Sequence, residues 1–431
     1  MIKRYLTIFI VLISLNLVGQ RSNSSPYSFF GIGEEFNPKT VEQASMGGIG
    51  ASYTSAYRLN FINPAANANI KVATYSIGGL SKSITIKDAI GSQSSNSSGL
   101  SYVSLGFPVG KSSAFVAGIQ PVSSVGYSFV NSKDFDNDGK IDKVTRFDGK
   151  GGASRIYGSF GTKIFKNFSI GLEASYVFGN VENNILEQLR DSDRFTKDKE
   201  ISQVRGGSLK MGVLYEKKLK NDLIISSGVV FKFNNNLNVT GNDYLYSLKF
   251  SNTGAEIPRD TLSTKAISGK ISSPLQTTLG VGFGKENKWF AGLDYEFQKA
   301  LSNSSLVTSG NNGYAYGDSN RFSIGGFYLP NVNSISSYWD RVSYRAGMRF
   351  EKTGLLVNNT GIANNFTEIN DFGMSFGLSL PLSSQLSNVN VGFEYGQKGT
   401  LNNNLIKETY FNFRISLSLN DLNWFIKRKI D

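Results

Sequence analysis

The chain has 431 residues and a formal charge of +12, with 46 glycines, 20 tyrosines and 31 phenylalanines but only 9 prolines. It contains no cysteine and no histidine, which excludes disulfides, a lipid-bearing N-terminal cysteine and catalysis by a histidine base. These absences predict a protein that is not an enzyme and that holds no cofactor.

Residues 1–20, MIKRYLTIFIVLISLNLVGQ, have the composition of a cleaved secretory signal. Two basic residues, Lys3 and Arg4, precede an apolar run that ends near Val18. The run is short for an uncleaved anchor helix, which is the alternative. We expect the mature chain to begin near residue 20 or 21. No later stretch is long and apolar enough to predict a membrane helix.

Residues 21–69 form the next unit and show no regular alternation of polar and apolar residues. In ASMGGIGASY, three glycines permit tight backbone turns, and a further turn is marked by Asn-Pro in LNFINPAA. The residues that carry these signals are Gly47, Gly48, Gly50, Asn63 and Pro64.

Strict alternation begins near residue 70 and continues to about residue 420. In NFSIGLEASYVFGN, large apolar residues such as Phe168 and Leu172 alternate with small or charged ones such as Gly171 and Glu173; only Val177 breaks the pattern. A period of two places successive side chains on opposite faces of a strand. Similar segments predict about fourteen strands of bilayer-spanning length, centred near residues 77, 103, 119, 158, 173, 209, 229, 279, 293, 325, 346, 376, 392 and 413.

The two faces of these strands differ in a way that favours a membrane barrel over a soluble β-sandwich. A sandwich buries its apolar face and exposes charged residues, whereas the second face here is mainly glycine and serine with isolated charges. We expect those charges to pair inside the barrel; they are Glu173, Lys210, Lys232, Glu296, Arg345 and Glu394. Short turns are predicted at 164–167, 218–222 and 285–287, and long polar loops at 131–150, 183–201, 235–272, 299–320 and 352–368.

The sequence therefore predicts an all-β fold: a transmembrane antiparallel β-barrel of residues 70–431 in the bacterial outer membrane. Barrels of about fourteen strands are wider than the eight-stranded kind that side chains alone can fill. The lumen has room for residues 21–69, which we expect to form an N-terminal plug or hatch.

The segment DFDNDGKID has the spacing of the first part of a calcium-binding loop, with Asp134, Asp136, Asp138 and Asp142. The twelfth position of the loop is Thr145, so the bidentate carboxylate is missing, and Asp-Gly is also common at hairpin tips. No metal is therefore predicted, and these carboxylates remain a weak calcium candidate.

The net positive charge matches anionic lipid head groups and the phosphates of lipopolysaccharide, or else it serves solubility alone. Nucleic acid is not an expected partner of a secreted strand-rich chain. Near the C-terminus, aromatic side chains precede cations, as at the interface of a membrane and water; these residues are Trp424, Phe425, Lys427, Arg428 and Lys429.

The pair of motifs ASMGGIGASY and LNFINPAA resembles the N-terminal hatch of FadL-type outer-membrane transporters of hydrophobic compounds. The runs YGSFGTKIFKNFSIGLEASYVFGN and SYWDRVSYRAGMRF, with the closing LNWFIKRKID, resemble the branch of that superfamily related to the secretion shuttle PorV. The resemblance implies a fourteen-stranded barrel in which hydrophobic molecules pass the hatch and leave sideways through the wall. The resemblance implies that the hatch residues are Gly47, Gly48, Gly50, Asn63, Pro64 and Ala65. The family's ligand-pocket residues do not align from these motifs.

Two functions follow as hypotheses. The first is passive uptake of a fatty-acid-like hydrophobic small molecule through the hatch. The second is a barrel that does not transport but serves as a subunit or cargo shuttle of a larger outer-membrane secretion or assembly complex, with protein partners in that membrane. A continuous apolar cavity beside residues 44–66 favours the first, and charges paired across the lumen favour the second.

Overall fold

The computed structural model describes residues 25–36, 38–136, 138–304, 313–360, 362, 364–382 and 387–422. Short helical turns occupy Pro26–Phe29, Val41–Ala44, Pro64–Asn69, Lys220–Asp222, Trp339–Arg341 and Asn402–Asn404. The strands are β1 (Glu34–Glu35), β2 (Ala73–Lys87), β3 (Ser92–Val109), β4 (Ser113–Lys133), β5 (Lys143–Phe165), β6 (Phe168–Leu189), β7 (Phe195–Lys218), β8 (Leu223–Lys232), β9 (Asn235–Phe250), β10 (Glu256–Ser273), β11 (Gln276–Lys285), β12 (Trp289–Gln298), β13 (Ser302–Ser304), β14 (Tyr314–Tyr316), β15 (Ser319–Tyr328), β16 (Ser343–Val357), β17 (Thr367–Pro381), β18 (Asn388–Gly399) and β19 (Lys407–Asp421).

The strands form a closed antiparallel barrel with fourteen crossings. Neighbours in sequence are neighbours in the wall, and β19 pairs with β2 to close the ring. Four of the crossings each consist of two consecutive strands with a short interruption between them: β8 with β9, β10 with β11, β12 with β13, and β14 with β15. The predicted fold is confirmed, and every predicted strand centre lies within an observed strand.

Alternation decides which side of the wall each residue faces. Leu172, Leu279 and Phe376 point outward and stay between 44% and 59% exposed, whereas Glu173 and Ser375 point inward and are buried. Val177, which breaks the sequence pattern, also points inward and joins a buried apolar cluster with Val125 and Tyr127. Large apolar side chains cover the outside and small or polar ones line the lumen, as a barrel in lipid requires.

The short predicted turns are confirmed, and we call their end of the barrel the turn end and the opposite one the loop end. The predicted long loops at 131–150, 183–201 and 235–272 are wrong, because most of these residues continue β4–β7 or form β9 and β10. About ten residues cross a bilayer at a slant, and β4 to β7 are much longer. Their loop-end halves, with β9 and β10, form a sheet beyond the membrane, here called the outer sheet. One face of this sheet buries an apolar cluster that includes Val204, Leu237 and Val239, and the other face is polar, so the membrane pattern of large apolar residues pointing outward ends there.

Residues 25–36 and 38–72, here called the lumenal segment, lie inside the wall; most of residues 40–53 and 59–70 are buried, and residues 25–36 are mainly half-buried. Inward-facing glycines of the wall let the backbone of this segment approach closely. A β-carbon added at Gly228 would lie 1.8 Å from the carbonyl oxygen of Ala51, and one at Gly347 would lie 2.2 Å from the carbonyl carbon of Met46. The glycine-rich inner face is thus matched to a segment packed against it.

Among the described residues, no helix has the length and apolar character needed to cross a membrane. The predicted secretory signal at 1–20 lies outside the described residues, as do the predicted interfacial residues Trp424, Phe425, Lys427, Arg428 and Lys429.

Candidate functional site: a wall opening and a lumenal cavity

The ladder between β3 and β4 is incomplete. It runs only from Val109–Ser113 at the turn end to Val103–Ile119, although β3 continues to Ser92 and β4 to Lys133. By contrast, β3 pairs with β2 and β4 pairs with β5 along almost their full lengths. Among the described residues, the loop-end halves of β3 and β4 therefore separate, which leaves an opening in the wall.

Local features of both strands explain where the ladder stops. Pro121 of β4 has no backbone N–H to donate, and a proline inside a strand is tolerated mainly at an edge. The β4–β5 register shifts between Pro121 and Ser123, and the β2–β3 register shifts between Gly78 and Gly79, opposite Ser101. Such irregularities bend a strand away from its neighbour. The two bends lie just past the last paired residues, Val103 and Ile119.

The lumenal segment covers the edge of β4 that β3 leaves free. Glu34 and Glu35, which form β1, pair with Ser124 and Ser123, and the amide of Phe36 donates to the carbonyl of Val122 at 2.8 Å. Backbone groups without partners are costly in a membrane, so a covered edge is the stable arrangement. Gly33 lets the backbone before β1 approach β4 closely, because a β-carbon on Gly33 would lie 2.4 Å from the carbonyl oxygen of Ser124. The φ of Gly33, +102°, also favours glycine.

Glu34 also ties β1 to the opposite side of the opening. Its carboxylate lies 3.0 Å from the ammonium of Lys82 on β2 and 3.1 Å from that of Lys398 on β18. Burial by itself raises the pKa of Glu34, but the two ammonium groups outweigh burial and hold the pKa well below its usual range. Backbone bonds to β4 and ion pairs to β2 and β18 thus join both sides of the opening from inside.

A cavity of about 610 Å³ lies behind the opening. It reaches β3 at Ser97–Ser101, β4 at Pro121 and the lumenal segment at Glu34–Phe36 and Ala44, and it extends to loop-end residues near Gln298 and Ser319. Its lining is mixed: apolar side chains such as Leu80, Leu100 and Phe36 alternate with charged ones such as Lys398 and Arg349. The space connects the loop end, the lumenal segment and the wall opening.

Lys39 is the cation of the lumenal segment that lines this cavity. Burial, reinforced by the charges of Arg321 and Arg349, lowers the pKa of Lys39 to about 7. The cavity therefore carries a positively charged group whose charge depends on pH near neutrality.

Ion pairs and hydrogen bonds fix the rest of the lumenal segment to the wall. Glu173 lies 2.7 Å from Arg155 and 3.0 Å from Lys210, and the ammonium of Lys210 donates to the carbonyl of Phe61 at 2.7 Å. On the other side, Asp294 accepts hydrogen bonds from the amides of Gly50 and Ala51 at 2.7 and 2.9 Å. Charged residues of the wall thus hold the segment at two separate points.

Several of the lumenal charges predicted to pair do so. Glu173 pairs as described, Glu296 lies 2.9 Å from Arg321, and Glu394 lies 3.2 Å from Arg349. Arg345 instead donates to the hydroxyl of Ser379 and lies over the ring of Phe327. Most of these pairs join neighbouring strands of the wall, so they stiffen the inner surface as well as hold the segment.

The predicted hatch residues lie in the lumenal segment but away from the wall opening. Gly47 and Gly48 have φ of +70° and +84°, and the Gly47 amide donates to Ser375 at 2.9 Å. The side chain of Asn63 accepts from the amide of Ala65 at 3.0 Å, which begins the turn Pro64–Asn69, and donates to the carbonyl of Ala51 at 2.6 Å. Whether these residues act as a moving hatch stays a prediction.

Carboxylate oxygens of Asp134, Asp136 and Asp138 lie within 4.8 Å of one another at the β4–β5 tip. Asp142, the fourth predicted ligand, accepts from the amide of Phe135 at 2.8 Å and lies 3.3 Å from Arg190. The guanidinium of Arg190 lies 3.3 Å from Asp138 as well. It supplies a positive charge where a cation would bind, and the calcium hypothesis stays untested.

Sequence reasoning missed the residues at the wall opening. Glu34, Lys82 and Lys398 are far apart in the chain, and nothing in their local sequence marks them as partners. Pro121 offered the one local signal, because a proline within an alternating run indicates an unpaired edge.

Solved structures of similar fold include channels and transporters of hydrocarbons. The CymD monoaromatic hydrocarbon channel is 16% identical, with a TM-score of 0.54 over 94% of this chain and 98% of that chain. The toluene transporter TbuX of Ralstonia pickettii is 15% identical, with a TM-score of 0.57 over 91% and 99%. A Pseudomonas aeruginosa FadL homologue is 13% identical, with a TM-score of 0.57 over 89% and 98%. At these identities the likeness shows the fold.

The fold resemblance to FadL-type barrels is thereby confirmed, and so is the outer-membrane location of the barrel. The narrower relation to PorV stays a prediction. No protein with a curated description matches the sequence significantly. A family model described as BamG matches residues 1–431, the whole chain. The chain belongs to the BamG family.

Proposed function

We propose that the barrel passes small hydrophobic molecules from the outside into the outer membrane, sideways through the opening between β3 and β4. The observation that carries this proposal is the incomplete ladder beside a cavity that reaches both the loop end and the opening. A wall built only for stability would complete the ladder, because each backbone hydrogen bond contributes about 1 kcal/mol. The similar solved channels, described as carrying toluene and other monoaromatic hydrocarbons, support the same proposal.

The mixed lining of the cavity refines the class of molecule. An apolar patch around Leu80 and Leu100 suits a hydrocarbon part, whereas Lys39, Lys398 and Arg349 suit a polar or anionic end. A molecule with both parts, such as a fatty acid, therefore fits the lining better than a pure hydrocarbon does.

In this proposal β1 acts as the hatch. Its backbone covers the free edge of β4, and its Glu34 holds Lys82 and Lys398, so release of β1 would widen the path from the cavity to the opening. The rest of the lumenal segment, held at Asp294 and Lys210, would stay in place.

The test uses the absence of natural cysteines. Glu35 and Ser123 are directly opposite in the β1–β4 pairing, and such pairs have the spacing that a disulfide needs. Cells that carry Glu35→Cys with Ser123→Cys should lose uptake of radiolabelled dodecanoate when oxidised and regain it with a reductant. A disulfide between Ser113→Cys and Thr162→Cys, which are opposite in the β4–β5 ladder, is the matched control. Equal uptake by oxidised and reduced cells would refute the proposal.

A second candidate is the role of a non-transporting subunit in a larger outer-membrane assembly. The paired charges that hold the lumenal segment, Asp294 at one point and Lys210 with Glu173 at another, favour this role because they resist movement. The resemblance to the PorV branch supports the same role. Its test is gentle solubilisation of membranes: a large protein partner that copurifies in stoichiometric amount, with no barrel-dependent dodecanoate uptake, would favour this candidate.

A further inference from the structure

The lipid-facing wall has a groove next to the opening. Ala117 of β4 is opposite Gly158 of β5, which is opposite Ala174 of β6, and all three residues point outward. Three adjacent strands thus present their smallest side chains in one row across the wall.

The neighbouring rows carry large side chains. On the loop-end side of the small row, the outward residues are Ile119, Ile156 and Tyr176; on the turn-end side they are Phe115, Phe160 and Leu172. The small row is therefore the floor of a groove between two apolar ridges. The recess around it, which continues over β2, β3 and β19, has a volume of about 980 Å³ and an almost wholly apolar lining.

The groove begins where the wall opening ends. Its loop-end border includes Val103 and Ile119, which form the last paired rung before β3 and β4 separate. A molecule that leaves the cavity through the opening therefore meets this groove first, at the depth of the acyl chains.

We infer that the groove binds the alkyl chain of the molecule that leaves through the wall opening. This inference rests on the proposed function and adds an exit site on the outer surface of the barrel. Its shape suits a linear chain, because Ala117, Gly158 and Ala174 form a floor across three strands while the ridges cover the chain on both sides. An apolar lining supplies burial and demands no polar partner.

The opposite wall offers a matched control. Ala291 of β12, Gly326 of β15 and Ala346 of β16 form a second outward row of the same composition. The strands there pair continuously on both sides, so this row adjoins no opening. If alkyl chains merely dissolve in the surrounding bilayer, both rows should behave alike.

The test attaches a bimane fluorophore to a single introduced cysteine in a groove ridge, Ile156→Cys, or beside the control row, Ile324→Cys. In phosphatidylcholine nanodiscs, brominated dodecanoate should quench the groove fluorophore saturably and the control fluorophore only in a linear manner. Filling the groove with Ala117→Leu and Ala174→Leu should raise the half-saturating concentration about tenfold, the loss expected when roughly two methylene groups are no longer buried. Ala291→Leu with Ala346→Leu should leave the half-saturating concentration unchanged.

Quenching that is linear and equal at both fluorophores would overturn the inference, since it reports partition into the bilayer. The inference also fails if filling the groove lowers quenching but leaves dodecanoate uptake unchanged, while the disulfide between Glu35→Cys and Ser123→Cys abolishes uptake by the barrel with an unfilled groove. The proposed function would then stand without the groove. If that disulfide leaves uptake unchanged, the proposed function fails, and saturable groove quenching would then reveal a lipid site outside the route, against the inference. Retained heat-modified mobility on gels confirms that each variant is folded.

Discussion

The ion pairs of Glu34 give the sharpest prediction. Glu34→Gln removes the negative charge between two buried cations, Lys82 and Lys398, whose side chains are 10% and 12% exposed. Breaking a buried pair in this way typically costs about 3 kcal/mol or more, because both ammonium groups lose the carboxylate that contacts them. Glu34 contacts the two cations only while β1 lies on β4, so the substitution destabilises the state in which β1 covers the opening and not the detached state. The backbone hydrogen bonds between β1 and β4 are unaffected. The population in which β1 has left β4 should therefore rise by about 100-fold.

Labelling of a cysteine measures that population. Ser124 is only 2% exposed beneath β1, and in a Ser124→Cys background a maleimide should react only when β1 detaches. Glu34→Gln should speed the labelling by about 100-fold at neutral pH. As a control, Asp318→Asn breaks the exposed Lys299–Asp318 pair, in which the side chains are 79% and 56% exposed, and should change the rate less than twofold. Equal rates for Glu34→Gln and the control would refute the reasoning that Glu34 holds β1.

Three further predictions follow from the packing and charges of the wall. Gly228→Ala places a methyl group against the carbonyl of Ala51 and should destabilise the barrel by about 1–3 kcal/mol in urea titrations. The control is Gly207→Ala, whose added methyl group would have its nearest atom 4.0 Å away and should change the stability by less than about 0.5 kcal/mol. Equal effects of the two variants would contradict the close approach of Ala51 to Gly228. In the outer sheet, burial, a hydrogen bond and the charge of Asp243 raise the pKa of Asp198 to about 7. A raised carboxyl pKa makes the folded state bind the proton more tightly, so the stability of the sheet falls as pH rises from about 4 to 7. Asp198→Asn should therefore slow amide exchange in the outer sheet at pH 8 but not at pH 4. Equal slowing at both pH values would show that the charge of Asp198 is not the cause. Because Arg190 lies beside Asp138 and Asp142, calorimetric titration with calcium should give no binding heat up to millimolar concentration; saturable micromolar binding would revive the calcium-loop hypothesis.

The chain's own sequence determined the number of crossings and the side of the wall that each residue faces. Alternation is a local property, and a residue such as Leu172 or Glu173 is assigned by its parity alone. The loop-end extent of the strands was not readable in this way. In the outer sheet, β9 buries Leu237 and Val239 and exposes the polar residues Asn238 and Thr240, so the outward apolar face by which the crossings were recognised is missing there.

Only the tertiary structure decided where the wall is open and what covers it. Whether β3 and β4 pair beyond Val103 and Ile119 depends on bends that local propensity does not encode, although Pro121 gave a hint. The partners of Glu34 lie 48 and 364 residues away in the chain. Closing the ring brings β2, β18 and the lumenal segment together, and an ion pair exists only once that closure has placed its two charges within reach.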